Sequence, residues 1–487
     1  MTQEAMKKVL QVGVMLTAER DLNRLLDTIL MSVMELAGCD AGTLYLLEDG
    51  ALHFKIMHTN SLGTHSGGDG RDPDLPPVPL RRENVCAFAM LENRTIRIED
   101  VHTSKEYDFS GPIRYDAITG YHTQSMLVVP MTNREGEKIG VIQLINALNE
   151  DGNIGAFPED MVLALESVAA QASITIQNVR YLQEIRELFR SFVRVMSSAI
   201  DERTPYNANQ SRRMAECGER FVDFLNARAR RDGQEAPFTD QHKEELVMSV
   251  WLHDVGKVVT PLEVMDKMAR LSPLQEERLQ NRLRIIGLTA QIDCLEGRIT
   301  RDERDALLRN TGEAAQRTGE ISRAGFLTDE KLEWLDRLRQ RTYSDQGVER
   351  PWITDEEYAM LSIRKGTLSP AERKIMEEHV VVTGRLLSQI HFSGDLSHVR
   401  AWAASHHELL NGSGYPDHLQ GDEIPCEVRI ITILDIFDAL VADDRPYKPG
   451  MPIPKALSIL EAMAEKEGKL DPALTRLFIE SKCWEAG

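Results

Sequence analysis

The sequence predicts an α+β domain at the N-terminus, joined by a long helix to an all-α domain. Within residues 21–177, helical patterns alternate with short runs of β-branched and aromatic residues that are typical of strands. After residue 200, strand patterns nearly vanish and apolar residues recur at helical spacing. The length of 487 residues is enough for several domains of roughly 150 residues each. We therefore expect a mixed domain followed by a helical one.

The charge balance excludes some classes of partner. Lys and Arg total 57 against 77 Asp and Glu, which gives a formal net charge of −20. Broad binding to nucleic acid or to an anionic membrane requires a basic surface, so we expect no DNA and no membrane partner. A small anion held in a local pocket stays compatible with this charge.

The cysteines and the first residues indicate the compartment. The closest two of the six cysteines, Cys39 and Cys86, are 47 residues apart, which argues against a dense disulfide framework and favours a reducing compartment. The start, MTQEAMKKVLQVGVML, is too interrupted by charge for a secretory signal. No run approaches the ~18 apolar residues needed to span a bilayer. We expect a cytoplasmic protein.

The N-terminal part is predicted element by element. Residues 1–20 form a helix, and residues 22–34 repeat apolar positions at helical spacing. Strands are expected at 42–47, 53–58, 95–98, 125–131 and 140–146. A hairpin loop over 133–137 separates the last two strands. Residues 61–80 are rich in Gly, Pro and Asp, so we expect a mobile loop there.

A long helix is predicted from Pro158 to Ile200, because proline is favourable in a first helical turn. Within it, apolar positions alternate three and four residues apart, as in a coiled coil. These positions are Leu182, Ile185, Phe189, Phe192, Met196 and Ala199. The pattern suits a helix that packs on its own domain, or a parallel two-stranded stalk over 178–200 in a homodimer.

Residues 266–363 combine periodic Leu and Ile with many Arg and Glu. The pattern predicts long solvated helices, such as a helical hairpin. We recognise no chemistry in this segment and expect it to serve packing or to bind a signalling protein.

Histidine and aspartate stand at apolar positions of the helical part. The residues are His253, Asp254, His379, His406, His407 and Asp435. Each alone is weak, since a lone histidine on an apolar helix is usually a core residue. A buried charge, however, is costly unless it is paired or coordinates a metal, and imidazole with carboxylate suits Zn, Fe, Mn or Ni. The combination predicts a metal site.

Four motifs carry a resemblance to a known family. HDVGK at 253–257 and HHELLNGSGYP at 406–416 resemble the two signatures of the HD-GYP family, a branch of the HD superfamily of metal-dependent phosphohydrolases. GTLSPAERKIMEEH at 366–379 and the downstream DIFDALVADDRPYK resemble the same family. The resemblance implies an HD-type helical domain over 201–487, with 266–363 as a helical insertion.

The resemblance also implies a dinuclear metal site. Its ligands would be His253, Asp254, His379, His406, His407 and Asp435. Asp254 would bridge two divalent ions. His379, His406 and His407 would complete the shell of one ion, and His253 and Asp435 would serve the other. Iron or manganese is favoured, and nickel, zinc or magnesium are the alternatives.

The resemblance also implies residues that take part in catalysis or bind the substrate. Asp254 and Lys257 would be catalytic, with Lys257 near the phosphate. The implied substrate-binding residues are Gly414, Tyr415, Pro416, Arg445 and Lys448. For the last two, a solvated basic turn is the alternative.

Three positions depart from the family pattern. Tyr206 and Gln210 stand where some members hold a third metal with an acidic residue and a histidine, so we expect two ions. Asn411 stands where an aspartate is usual. The six ligands are intact, which argues against an inactive enzyme.

The activity implied by the resemblance is a phosphodiesterase that opens cyclic di-GMP to linear pGpG and can continue to GMP. A metal-activated hydroxide would attack phosphorus in line, and the 3′ oxygen would leave. A cyclic GMP–AMP dinucleotide is an alternative substrate. Two other hypotheses remain: an inactive cyclic-dinucleotide receptor or adaptor, and an HD hydrolase acting on another nucleotide.

Residues 21–177 resemble a GAF domain, through the segment SMLVVPMTNREGEKIGVIQLINALNEDG. The resemblance implies an antiparallel sheet flanked by helices, and a small-molecule or cyclic-nucleotide ligand whose site residues are unknown. The matching positions of the family's NKFDE signature are Asn146, Phe157 and Asp160. Ala147 and Met161 depart from that signature.

Overall fold

The structure is a computed structural model that describes residues 3–19, 21–133, 135–203, 209–345, 347–442 and 450–485. The chain divides into two compact units, Met1–Phe189 and Arg190–Gly487. None of the described helices combines the length and the apolar character that crossing a bilayer requires.

The first unit is an antiparallel sheet with helices. Its helices are α1 (Gln3–Ala18), α2 (Leu22–Ala37), α3 (Val85–Glu92), α4 (Ser110–Thr119) and α5 (Glu159–Asp201), whose last residues belong to the second unit. Its strands are β1 (Cys39–Glu48), β2 (Ala51–Thr59), β3 (Thr64–Gly67), β4 (Val78–Pro79), β5 (Ile96–Ile98), β6 (Met126–Thr132), β7 (Lys138–Leu148) and β8 (Ile154–Gly155). The sheet order is β3-β2-β1-β7-β6-β5, with β4 on β2 and β8 on β7. The predicted α+β class is confirmed, and all five predicted strands are present.

Both faces of this sheet are covered by apolar side chains, which alternate along each strand. On β1, Leu44 and Leu46 join a core with α2 and α5, whereas Tyr45 joins a second core with α3. On β7, Ile142 faces the first core and Val141 the second. Because both faces are buried, these strands read as continuous apolar runs.

The segment 61–80, expected to be a mobile loop, is not irregular throughout. This segment contains β3 and β4, and both pair antiparallel with β2. Lys55 on β2 also holds the segment through an ion pair of 2.6 Å with Asp72. The sequence did not predict these two strands, because they are defined by their hydrogen bonds to β2 and not by an alternation of apolar residues.

The second unit is helical. Its helices after α5 are α6 (Gln210–Arg231), α7 (Asp240–Leu252), α8 (Leu262–Met265), α9 (Pro273–Leu295), α10 (Arg301–Arg323), α11 (Asp329–Arg339), α12 (Asp355–Leu361), α13 (Pro370–Leu387), α14 (Val399–Ala404), α15 (Cys426–Val441), α16 (Ile453–Glu465) and α17 (Pro472–Ser481). A 3₁₀ helix, Val255–Val259, follows α7. The predicted helical class is confirmed, with one added hairpin of strands β9 (Thr342–Asp345) and β10 (Val348–Pro351).

The segment 266–363 has a hydrophobic core of its own, so the expectation of solvated helices was only half right. Helices α9 and α10 form the predicted hairpin. Half of the periodic apolar residues of α9 are buried, including Leu279 and Leu283, whereas Leu274 and Leu295 are exposed. Trp352, which follows β10, completes this core. The segment is therefore a packed subdomain.

Arg270 ties the two ends of this subdomain together. Its side chain is fully buried, and its guanidinium donates to the carbonyl oxygens of Ile321 and Ala324 at the end of α10 and of Ile363 beyond α12. We expect Arg270→Ala to lower the free energy of unfolding by about 3 kcal/mol, because several charge-assisted hydrogen bonds to buried carbonyls are lost. Urea denaturation measures this. Arg309→Ala on the exposed side of α10 should change it by less than about 0.5 kcal/mol, and equal losses would contradict the assignment.

Candidate metal centre

Four segments of the second unit bring the predicted ligands together. They are the end of α7, the middle of α13, the turn after α14 and the middle of α15. The ligands on them are, in that order, His253 and Asp254, His379, His406 and His407, and Asp435. All six predicted residues lie in one cluster.

Asp254 lies at the centre of the cluster. Its Oδ2 atom is 3.1 Å from Nε2 of His253. Its Oδ1 atom is 3.3 Å from Nε2 of His379 and 3.9 Å from Nε2 of His406. The two carboxylate oxygens thus face different histidines, which is the arrangement that a carboxylate between two cations requires.

The backbone orients three of the histidines. The Nδ1 atoms of His253, His379 and His406 lie 2.6, 2.6 and 2.8 Å from the carbonyl oxygen three residues earlier in the chain. A ring whose Nδ1–H donates to such a carbonyl presents the lone pair of Nε2 on its opposite side. These Nε2 lone pairs are directed into the cluster.

Several buried atoms of the cluster lack a hydrogen-bond partner among the described residues. They are Nε2 of His253, His379 and His406, and Oδ1 of Asp254. Buried polar atoms without partners are costly and call for an explanation. Imidazole nitrogens and carboxylate oxygens are ligands of divalent transition ions, so the residues present fit metal ions.

Without metal, the charges within the cluster favour the ligating forms of Asp254 and His406. Despite burial, Asp254 raises the pKa of His253 to about 9, and burial raises the pKa of Asp435. Burial opposes ionisation of Asp254, but His253 and Lys257 hold the pKa of its carboxyl well below the usual range. The Lys257 ammonium donates to Oδ2 of Asp254 at 2.6 Å, and despite burial the nearby carboxylates raise its pKa. Burial, with the neighbouring His407, keeps the pKa of His406 well below its ordinary value. His406 is therefore a neutral imidazole, the form that binds metal.

Asp435 completes the other side of the cluster. Its Oδ1 atom is 4.0 Å from Nε2 of His253, and its Oδ2 atom is 3.6 Å from Nδ1 of His407. Gln210 on α6 donates its side-chain amide to Oδ1 of Asp435 at 3.2 Å. The sequence identified Gln210 only as a missing ligand, whereas the structure gives it a role in orienting a ligand.

Close packing between the 3₁₀ helix and α13 positions the ligands that they carry. The Gly256 amide donates to the Thr383 hydroxyl at 3.0 Å, and that hydroxyl donates to the His253 carbonyl at 3.0 Å. A Cβ atom on Gly256 would lie 1.9 Å from the carbonyl oxygen of His379. Thr383 was not found from the sequence, because no local pattern links it to residues more than a hundred positions earlier.

The predicted substrate loop lies beside the cluster. The Tyr415 ring lies 4.8 Å from the His407 ring, and the peptide bond between Tyr415 and Pro416 is cis. Gly414 approaches the backbone so closely that a Cβ atom there would lie 2.4 Å from the Leu409 nitrogen. The buried carboxylate of Glu408 accepts the amides of two residues just after this loop, at 2.7 and 3.0 Å, and so fixes its end.

Asn411 supports the same loop. Its side-chain oxygen accepts from the amide of Ser413 at 3.0 Å, and its amide donates to the carbonyl of Glu467 at 3.0 Å. The amide donation is one that an aspartate could not make. The predicted positions Tyr206, Arg445 and Lys448 lie outside the described residues.

Comparison with known proteins assigns both parts of the chain. Residues 21–176 match the family model of the GAF domain, and residues 356–474 match that of an HD domain. The chain carries a GAF domain followed by an HD domain. The matched HD segment contains four of the six predicted ligands, while His253 and Asp254 precede the inserted subdomain.

Several curated cyclic-dinucleotide phosphodiesterases are similar to part of this chain, and three of them illustrate the range. The 3′3′-cGAMP-specific phosphodiesterase 3 of Vibrio cholerae is 44% identical over 98 residues, which cover 20% of this chain and 20% of the relative. The cyclic di-GMP phosphodiesterase of Thermotoga maritima is 30% identical over 165 residues, covering 31% and 43%. The cyclic di-GMP phosphodiesterase response regulator RpfG of Xanthomonas campestris is 40% identical over 104 residues, covering 20% and 26%. Each match spans less than half of the relative.

The GAF domain contains a cavity of about 340 Å³. Its wall combines apolar side chains such as Phe54 and Met57 with the polar Gln143 and, at its rim, Arg114. The partly matched signature residues Asn146, Phe157 and Asp160 do not line this cavity. Asn146 is buried and holds the 121–125 segment by hydrogen bonds, Phe157 is in the core, and Asp160 is exposed.

Proposed function

We propose that the HD domain is a metal-dependent phosphodiesterase that opens cyclic di-GMP to linear pGpG and can continue to GMP. The observation that carries the proposal is the convergence of three buried Nε2 atoms and a carboxylate oxygen, all without partners among the described residues, beside the ammonium of Lys257. Such a centre suits a substrate whose reacting group is a phosphodiester. The names of the relatives support a cyclic dinucleotide as that substrate.

We further propose two divalent ions with Asp254 between them. The mixed imidazole and carboxylate ligands favour iron or manganese, with nickel, zinc or magnesium as alternatives. The Gln210 amide, which donates to Asp435, argues against a third ion nearby, because an amide N–H cannot coordinate a cation. When bound, such ions acidify a water molecule and neutralise charge on phosphate oxygens.

The chain's own groups would orient the reaction. Lys257 stays cationic beside Asp254, so it can stabilise the additional negative charge that develops on the phosphate. The ring of Tyr415 lies beside His407, where it can stack on a base of the substrate. Gly414 and Pro416 would set the course of this loop, and Arg445 and Lys448 remain proposed phosphate contacts.

The test is turnover by the full chain loaded with Mn²⁺ or Fe²⁺. Cyclic di-GMP and 3′3′-cGAMP are offered separately, and linear products are separated by chromatography. We expect linearisation of cyclic di-GMP, and a faster reaction with 3′3′-cGAMP would instead assign that substrate. Binding of either dinucleotide without any turnover by metal-replete protein would favour the alternative, a receptor or adaptor.

For the GAF domain we propose a small-molecule ligand in its cavity, with a cyclic mononucleotide as one candidate. Its volume of about 340 Å³ lies within the usual range for ligand pockets, roughly 300–1,000 Å³. Arg114 at the rim could meet an anionic group. Calorimetric titration of the full chain with cyclic AMP and cyclic GMP tests that candidate.

We also propose a homodimer through helix α5. Apolar side chains along one line of this helix are 58 to 72% exposed. They are Leu182, Ile185, Leu188, Phe192 and Val195. Three of them, Leu182, Ile185 and Phe192, belong to the predicted heptad pattern. The pattern also predicted Phe189 and Met196, but these are half-buried, and their neighbours Leu188 and Val195 are exposed instead. A second copy of α5 would cover this line.

Charged substitutions on this line should therefore produce a monomer. In the double variant Ile185→Glu and Phe192→Glu, we expect the dimer dissociation constant to rise at least about 100-fold, because burying each such side chain contributes about 1.5–3 kcal/mol. Analytical ultracentrifugation measures it. Gln183→Glu adds charge beside the line and serves as the control. A wild-type chain that is monomeric at micromolar concentration would refute the dimer.

A further inference from the structure

Helix α4 of the GAF domain is weakly anchored by apolar contacts. None of its described side chains is buried, and Ile113 and Ile118 are 47% and 78% exposed. Ten-residue helices are marginal in water and normally depend on a buried apolar face. A contact of another kind that fixes α4 would therefore have a large effect on the stability of this helix.

Asp116 of α4 faces two histidines from neighbouring loops. Each of the residues His102, Asp116 and His122 offers one atom that could bind a metal ion, and these three atoms lie within 4.8 Å of one another. The two imidazole rings are stacked, with centroids 5.0 Å apart and an angle of 9° between their planes. Ligands of one zinc ion, bound at about 2.0–2.1 Å, are separated by about 3.3 Å, so small movements of these partly exposed side chains would complete a shared coordination shell.

Hydrogen bonds hold the Asp116 carboxylate and the two loops that carry the histidines in place. Thr123 donates its amide and its hydroxyl to the two carboxylate oxygens of Asp116, each at 2.8 Å. The buried Asn146 donates to the carbonyl of His122 at 2.7 Å. The amide of Val101, next to His102, donates to the carbonyl of Gln124 at 2.9 Å. The loops that carry the two histidines are thus tied to each other and to the sheet.

We propose that His102, Asp116 and His122 bind a divalent transition-metal ion of the zinc type. Two neutral imidazoles and a carboxylate suit such an ion, and water would occupy the remaining position. The hydrogen bonds from Thr123 orient the carboxylate, as outer-shell partners of metal ligands commonly do. The site is separate from the centre in the HD domain and does not depend on the activity proposed for it.

The ion would connect α4 to the cavity of the GAF domain. Pro112, Arg114 and Ile118 of α4 line that cavity. A cation that joins Asp116 to the two loops would fix this wall, so the metal and a cavity ligand that contacts α4 would both favour the same position of this helix. Binding of one should strengthen binding of the other.

The test is the zinc content of the full 487-residue chain after equilibrium dialysis against Zn²⁺. We expect the wild type to hold one more zinc ion per chain than the double variant His102→Ala and His122→Ala. Hydrogen exchange supplies a second readout. At zinc concentrations of about 100 times the dissociation constant, exchange of amides 110–119 should slow by up to about 100-fold in the wild type only.

His53→Ala is the matched control, because it removes a histidine of the same domain that is outside this group. It should keep the wild-type zinc content. Equal zinc content in the double variant and the wild type would overturn the proposal, and so would exchange of α4 amides that zinc leaves unchanged.

Discussion

Replacing Asp254 by alanine is expected to abolish metal binding at the proposed centre and to leave less than about 1% of the proposed phosphodiesterase activity. The loss of an outer-shell partner alone typically costs about 10- to 100-fold in metal affinity or activity, and Asp254 faces three histidines directly. Its removal also leaves Lys257 buried without the carboxylate that raises its pKa. The variant should therefore bind metal ions more weakly, and the pKa of Lys257 should be lower than in the wild type.

Elemental analysis and the hydrolysis assay measure the two effects on the same preparation. Asp395→Ala, an exposed carboxylate of the same unit, is the control and should keep both metal and activity. An Asp254→Ala protein that keeps both its metal content and the wild-type rate of cyclic di-GMP hydrolysis would eliminate the proposed centre. Loss of metal with full activity would leave the site but remove its catalytic role.

Gly256→Ala should give the largest stability loss among small substitutions near the centre. Its Cβ atom would lie 1.9 Å from the His379 carbonyl and 2.7 Å from the Thr383 amide, and these are backbone atoms that cannot rotate away. Overpacking of this kind costs about 1–3 kcal/mol, and we expect the upper end. The 3₁₀ helix must then move away from α13, which separates His253 and Asp254 from His379.

The comparison is with Gly312→Ala in helix α10, where an added Cβ atom meets nothing within 4 Å. That substitution should raise the free energy of unfolding by about 0.5–1 kcal/mol, because alanine is the better helix former. Urea denaturation gives both values, and metal content reports the ligand geometry. Equal stability of the two variants would show that α13 accommodates the methyl group.

Much of the site was predictable because its residues stand in short motifs. HDVGK and HHELLNGSGYP identified His253, Asp254, His406 and His407 directly, and the structure places them together with His379 and Asp435. The roles of Thr383 and Gln210 were not predictable. Both act through hydrogen bonds to residues that are distant in sequence, and such bonds leave no periodic pattern.

The fold, like the site, was predictable from the sequence only in part. Continuous apolar runs predicted β1, β6 and β7, because a strand buried on both faces is apolar at successive positions. The strands β3 and β4 depend on pairing with β2, and the core of 266–363 depends on which face of α9 its neighbours cover. Helical spacing defines a face but does not say what packs against it.

The sequence by itself determined the order of an α+β domain and a helical one, and which side chains can bind metal. Only the tertiary structure decided that three Nε2 lone pairs converge on Asp254, and that Asp116 meets His102 and His122 in the GAF domain. The physical reason is that residue type and spacing are local properties of the chain. The distance between donor atoms on different elements depends on the packing of the whole domain.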